Sequence, residues 1–445
     1  MDIFKFININ YDTTGGQFIA NIFTSPLKKY QTSTELGLNV SKGLPGPFVI
    51  GSIKNRNTFR GLEVMELSGR AGYEGISGAS DADNFYSSLD YGGNLSFTFP
   101  QFMLPIGKKF KSSLGHLNPK TRLSFGLNYT DRPEYDRSNI NTSLAFNWQK
   151  NNRKKTYTLN LADINFINST LTGKYEDTLD SLYNAGNNLK FAFEPSFVSS
   201  TWLSVVHNID DYGNKKEKSS YFRYLLESGG NIFGPIFDAS DTTKNIEFFR
   251  FAKVDFDFRQ SIPINHRVLM AYRAHVGVAV PYGDKKILPY EKFFFAGGSN
   301  SIRAWEPRRL GPGSYLPIDA EGNYSNNLEQ TGEVLFEASV ELRHKLFSFI
   351  HGAFFVDIGN LWTINEDHRP GGQFKFNRFY NELAVGAGYG LRFDFSFLLL
   401  RLDVAWKVRD PGTHTIDGST IERGYRKLPD YKGYESRVLN IGIGY

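Results

Sequence analysis

The sequence has no cysteine. That excludes disulfides, a thiolate-held metal, a thiol nucleophile and a lipid-bearing cysteine within these residues. Long apolar runs are missing too. No window approaches the roughly 20 apolar residues of a membrane-spanning helix, and the longest candidate, "FSFLLLRLDVAW" (395–406), is broken by Arg401 and Asp403. The start, "MDIFKFININ", has no basic segment followed by an apolar core, so an exported chain would be a mature form or a fragment. Charge of one sign is scarce. The formal balance is +5 over 445 residues, spread along the chain, which argues against a nucleic-acid partner. Motifs for covalent chemistry are also lacking: no G-x-S-x-G elbow, no H-E-x-x-H, no P-loop. "GAGYGLR" (386–392) lacks the third glycine of a nucleotide loop and lies on an alternating segment, where small inward residues explain it better. The eight histidines form no ligand cluster, and "HRPGG" (368–372) reads as a turn. An enzyme is therefore not expected, nor is a metal or other cofactor.

Aromatic residues, by contrast, are abundant: 15% of the chain, with 39 Phe and 24 Tyr. Yet only 40% of residues are hydrophobic, and the mean hydropathy is −0.37. A transmembrane barrel reconciles these facts. It alternates lipid-facing and lumen-facing side chains, so its average is polar although one face is oily, and aromatic girdles mark its rims.

Period-2 alternation runs throughout. In "EVLFEASVELRHKL" (333–346), Val334, Phe336, Ala338, Val340 and Leu342 share one face, and Glu333, Glu337, Glu341, Arg343 and Lys345 share the other. In "KVDFDFRQ" (253–260), Asp255, Asp257 and Arg259 oppose Val254, Phe256 and Phe258. The competing reading is a large soluble all-β sandwich. Strand length separates the two, because soluble strands average about 5–6 residues whereas membrane strands need roughly 9–11.

The pattern predicts an all-β fold with sixteen antiparallel strands. They lie near 30–42, 47–57, 61–74, 91–99, 120–131, 138–149, 154–166, 188–206, 219–229, 247–261, 266–280, 331–346, 350–361, 380–393, 396–408 and 436–445. Short links such as 43–46 and 347–349 would be periplasmic turns, and 281–330 and 409–435 long extracellular loops. A short helix is expected within 167–187, at the outer rim. Residues 1–29 stand apart: "FKFININYD" and "QFIANIFTS" flank "TTGG" as a hairpin.

The segment "FFFAGGSNSIRAWEPRRLGPGSY" (293–315) carries the most specific signal. Its core, Ile302-Arg303-Ala304-Trp305, resembles the loop-six signature Val/Ile-Arg-Gly-aromatic of the BamA/TamA superfamily of outer-membrane assembly and translocation barrels. "FFVDIGNLW" (354–362), "SVELRH" (339–344) and "VLNIGIGY" (438–445) resemble, in order, further strand motifs of that family and its closing β-signal. "PLKKYQ", "NRNTFRG", "FPQFMLP", "YEKFFFAGGSNSIRAW" and "LGPGSY" look like its TamL-like branch from Bacteroidota. Two positions depart from the pattern: Ala304 replaces glycine, and Tyr445 replaces the commoner terminal Phe or Trp.

The resemblance covers essentially the whole chain. It implies a 16-stranded transmembrane barrel over 30–445, with loop six at 281–330 and a closing strand at 436–445. Residues 1–29 would be the end of a periplasmic POTRA domain. It also implies that loop six folds into the lumen, where Arg303, flanked by Ile302 and Trp305, meets inward carboxylates. Alternation supplies Glu341 and Asp357, with Asp403 as a third candidate; the competing reading is that these are merely solvated lumen charges. Phe293–Phe295 are expected at the rim where the loop leaves the barrel. "EPRR" (306–309) would touch lipid-A phosphates or close the loop locally.

The second implied element is a lateral seam between first and last strands, involving Gly37, Asn440, Gly442, Gly444 and Tyr445. Glycines weaken strand packing, and an open edge is a template for an incoming strand; the competing reading is that they only ease close packing. Implied partners are outer-membrane lipid and lipopolysaccharide, unfolded β-barrel clients, and accessory periplasmic or inner-membrane proteins. The resulting expectation is an outer-membrane insertase or translocase without covalent chemistry. A dedicated two-partner-type secretion pore or a passive porin is the alternative.

Overall fold

The computed structural model describes residues 3–444 except 14–17, 40–45, 78–84, 106, 151–153, 185–187, 211, 213–216, 232–246, 283–285, 317–328, 368, 396–398, 417–418 and 426–436. A two-stranded antiparallel sheet comes first: β1 (Phe4–Asp12) and β2 (Ile19–Pro26). It leaves Phe6, Tyr11, Phe18, Ile22 and Phe23 exposed. A lone hairpin has too little apolar area to be independently stable.

The barrel follows as an up-and-down meander. Its strands are β3 (Tyr30–Asn39), β4 (Gly46–Arg56), β5 (Val64–Ser77), β6 (Phe85–Phe99), β7 (Lys120–Asp131), β8 (Tyr135–Lys150), β9 (Lys155–Leu171), β10 (Ser196–Ile209) and β11 (Ser219–Gly229). After the two-residue β12 (Glu247–Phe248) come β13 (Arg250–Asn265), β14 (Val268–Tyr282), β15 (Val334–Phe347), β16 (Ile350–Trp362), β17 (Ala384–Asp394), β18 (Leu399–Ile416), β19 (Ser419–Tyr425) and β20 (Arg437–Gly444). Setting aside β12 and β19, which are short accessories, the barrel has the sixteen strands that alternation predicts. β8, β9 and β18 run 16, 17 and 18 residues, well beyond soluble norms.

The distribution of side chains is inside-out. Leu127 and Leu439 keep 60% and 67% of their surface exposed, while Asp357 and Asp403 keep 0% and 1%. Only a sheet with apolar solvent outside and polar groups within makes that arrangement stable. Among the described residues, no helix is long and apolar enough to cross a membrane.

Some borders differ from expectation. Residues 188–193 form a 3-10 turn that joins α2 (Gly173–Asn184), the expected helix, so the next strand starts only at Ser196. Phe379–Glu382 is likewise a 3-10 turn ahead of β17. The expected loop 409–435 is partly strand, because β18 continues to Ile416 and pairs back with β19. A short helix, α1 (Lys108–Ser113), follows β6 without a sequence signal that singled it out.

Each long strand pairs with its sequence neighbour through a register of eight or more residues. The ring order sets β20 beside β3. That junction of last and first strands closes the barrel.

Candidate functional site: a loop anchored in the lumen

Loop six turns inward at once. Phe294, expected at the rim, is buried and exchanges backbone hydrogen bonds with Gly332. Its ring fills the place of the missing side chain of Gly277 on β14, and the Lys253 ammonium sits 4.1 Å from the ring centroid. The loop then reverses. Gly297 and Gly298 both take φ near +100° (102° and 97°), a region open to glycine. The Ser301 hydroxyl accepts from Gly297 N (2.8 Å) and donates to Glu337 on β15. Trp305 N donates to Ile302 O at 3.1 Å, so the four signature residues form one tight turn.

The wall beneath this turn is built to receive it. On β17 the inward residues Gly386, Gly388 and Gly390 lack side chains, and each vacancy is filled from elsewhere. Ala304 covers Gly386, the Phe355 ring covers Gly388, and the Asp403 carboxylate with Arg392 covers Gly390. Ile302 packs on Gly359 of β16 in the same way. The glycine-rich "GAGYGLR" is thus a docking wall. Ala304 also loses its oddity: its φ is not positive, so it needs no glycine, and the glycine that makes room lies opposite at 386.

Arg303 sits at the centre, 4% exposed. Its Nε and Nη2 form a fork on Asp357, both at 2.8 Å, and its backbone N reaches the same carboxylate at 3.1 Å. Nη1 donates to Glu341 at 2.7 Å and lies 3.7 Å from Asp403. The guanidinium stacks on Phe355, 3.4 Å from the ring centroid. Planar bidentate pairing plus stacking is chemistry that arginine, not lysine, supplies. Ser339 donates to Asp357 at 2.7 Å.

Arg392, which sequence reasoning missed, binds Glu341 at 3.1 Å and also Asp403. Arg343 completes the cluster on Glu341 at 2.7 Å. Three guanidinia face three carboxylates, so charge balances inside a buried site, the condition for tolerating it. The signal for Arg392 was available: it shares the inward parity of Gly386, Gly388 and Gly390.

The register explains the convergence. Ser339 pairs with Asp357, which pairs with Gly386; Glu341 pairs with Phe355, which pairs with Gly388. Gly390 pairs with Asp403, which pairs with Asn440. Adjacent rows across β15 to β20 therefore present acid, ring and acid around one point.

The other expected residues fall as follows. Trp305 is buried, with Lys407 Nζ 5.2 Å from its ring. Asn440, expected at the seam, instead donates to Arg303 O at 2.8 Å, because its inward parity aims it at the loop. Gly37 and Gly442 are covered by the Phe48 ring and the Arg401 guanidinium, so both serve close packing. Gly444 pairs with Leu399 in the last strand, and Tyr445 lies outside the described residues.

A second clamp holds the root of the loop. Arg308 binds Glu329 at 2.9 Å and Tyr290 at 2.6 Å, and its guanidinium lies 4.2 Å from the Phe295 centroid. This is the local closure allowed for "EPRR". Tyr290 also meets Phe193 of the 3-10 turn that follows α2.

A buried arginine turn clamped inside a sixteen-stranded barrel, and tied to its last strand, is the arrangement that calls for comparison with known proteins. The Omp85 superfamily domain model matches residues 7–426. The chain belongs to the Omp85 superfamily. Its barrels reside in the outer membrane. Among solved structures, BamA from Haemophilus ducreyi lacking POTRA domains 1–3 superposes with a TM-score of 0.60 at 15% identity, over 99% of this chain and 76% of that one. CdiB from Acinetobacter baumannii gives 0.50 at 13% identity, over 99% and 65%. At these identities the likeness is one of fold. The chain spans about three quarters of the BamA structure and under two thirds of the CdiB one.

Proposed function

We propose that this Omp85 barrel is an insertase or translocase that assembles β-barrel or surface proteins through the seam between β3 and β20. The observation that carries the reading is the clamp that holds loop six inside this Omp85 barrel. Its arginine turn is clamped on the walls of β15, β16 and β18 beside the junction where the last strand, β20, meets the first, β3. When that junction opens, its edges offer backbone donors and acceptors to an incoming strand. Loop six gives the opening a fixed frame. Arg303 ties the wall of β15, β16 and β18 to the loop, and Asn440 ties β20 to the same residue. The reaction assigned is strand exchange, without covalent chemistry or a cofactor.

On this reading residues 1–29 are the periplasmic end of a POTRA domain, which sets the N-terminus in the periplasm. The exposed aromatics of that hairpin then face the remainder of the domain. Clients are unfolded barrels, and the surrounding lipid and lipopolysaccharide contact the apolar outer face. The TamL-like branch rests on the quoted segments, and POTRA repeats with a lipid-bearing cysteine upstream would support it.

Reconstitution tests the function. Liposomes carrying the protein should fold an unfolded barrel client faster than empty liposomes; equal rates would reject the reading. The likeness in fold to CdiB supports a second reading, a pore serving one dedicated partner. Co-purification separates them, since an insertase retains many barrel clients and a secretion pore retains one.

A further inference from the structure

Below the loop tip lies a cavity of about 400 Å³ that the anchor does not fill. Five arginines line it, Arg259, Arg273, Arg303, Arg343 and Arg401, against one carboxylate, Glu341. Most have partners. Arg259 is forked onto Asp257, Arg343 rests on Glu341, and Arg273 lies 3.5 Å from Asp257 and 3.8 Å from Glu337. Arg259 and Arg343 still keep 41% and 44% of their side-chain surface open.

Arg401 is different. Among the described residues it forms no ion pair; its contact is Asn300 Oδ1 at the loop tip, 2.6 Å from Nη2. It lies over Gly442 on the last strand, within 2.8 Å of where a Cβ would stand, so that glycine is what lets the guanidinium lie there. Arg273 donates to the backbone oxygen of the same Asn300 at 2.5 Å. A guanidinium without a carboxylate, in a lumenal cavity whose other arginines are already neutralised by their partners, leaves one uncompensated positive charge with open donors there. Planar forks of this kind fit carboxylate and phosphate oxygens.

We propose that this cavity is an oxyanion site, taking a carboxylate or phosphate group presented inside the lumen, with Arg401 as its principal ligand. The five arginines face inward, so lipid headgroups outside the barrel do not reach them. The site stands whether or not the barrel assembles clients, because binding is measured on the purified protein alone.

The test uses the full chain in nanodiscs and a fluorescein-labelled hexa-aspartate peptide at low salt, where screening is weak. Saturable binding is expected. Arg401→Gln should weaken it at least about tenfold, the scale of losing one charged hydrogen-bonded contact. Arg122→Gln, which removes a lumenal charge on β7, should change it less than about twofold on the additivity expected of distant sites. Displacement of the peptide by inorganic phosphate assigns the site to free oxyanions in general; failure of phosphate to compete assigns it to polypeptide carboxylates. Absence of saturable binding, or equal affinity in Arg401→Gln, overturns the proposal. Heat-modifiable migration on gels verifies that the variant folds, and Arg343→Gln carries the same test if it does not.

Discussion

Replacing Arg303 by alanine removes the fork on Asp357, the bond to Glu341 and the stack on Phe355 together. The cost does not end with those contacts. Asp357 is fully buried and keeps only the Ser339 hydroxyl and the loop's backbone N–H. Glu341 and Asp403 retain Arg392, and Glu341 also retains Arg343, so they are partly protected. Breaking a buried pair by removing one partner costs about 3–5 kcal/mol. The loss falls on loop docking, because the barrel's hydrogen-bond ladders do not involve Arg303. The opening equilibrium of the loop should therefore rise roughly 10²- to 10⁴-fold. Hydrogen exchange followed by mass spectrometry over 293–315 reads this directly, with the peptide covering β7 as an internal reference. Protection should fall in the loop and hold in β7. Unchanged loop protection in a folded Arg303→Ala barrel would refute the anchor.

Other outcomes follow from the same geometry. Gly386→Ala places a methyl 2.6 Å from the Ala304 Cβ. It should loosen the loop by about 1–3 kcal/mol, the cost of overpacking, and adding Ala304→Gly should restore most of the lost protection. Asn440→Ala strips a hydrogen bond from the buried Arg303 carbonyl; a cost of about 1–3 kcal/mol should appear as faster exchange in both loop and β20. Arg308→Ala removes an ion pair about a fifth to a quarter exposed and a ring contact; it should cost about 1 kcal/mol, with protease sensitivity rising near 308–316 and the Arg303 turn still protected.

Much of this was legible in the sequence, for a definite reason. Alternation fixes which face a strand residue occupies, so the inward direction of Glu341 and Asp357 could be read from Val340, Leu342, Phe354 and Val356. Strand existence followed from the same pattern, and the helix between β9 and β10 lies within the segment where one was expected. Borders were less legible where 3-10 turns at 188–193 and 379–382 continue an alternating composition. What alternation cannot give is register, which decides which inward residues meet. Asn440 reaches a residue 137 positions away only because Asp403 pairs with it and Gly390 pairs with Asp403. The role of Arg392 and the filled glycines of β17 depend on the same alignment. Residues whose purpose is to be absent, such as Gly386, reveal it only when the occupant of the space is known.

The seam is the most direct test of the functional claim. The chain has no cysteine, so a pair introduced on β3 and β20 has no thiol background. The oxidised, locked barrel and its reduced counterpart would be compared in one liposome folding assay with an unfolded barrel client. Client folding should stop when the seam is locked and return on reduction; folding at the same rate in both states would contradict lateral assembly.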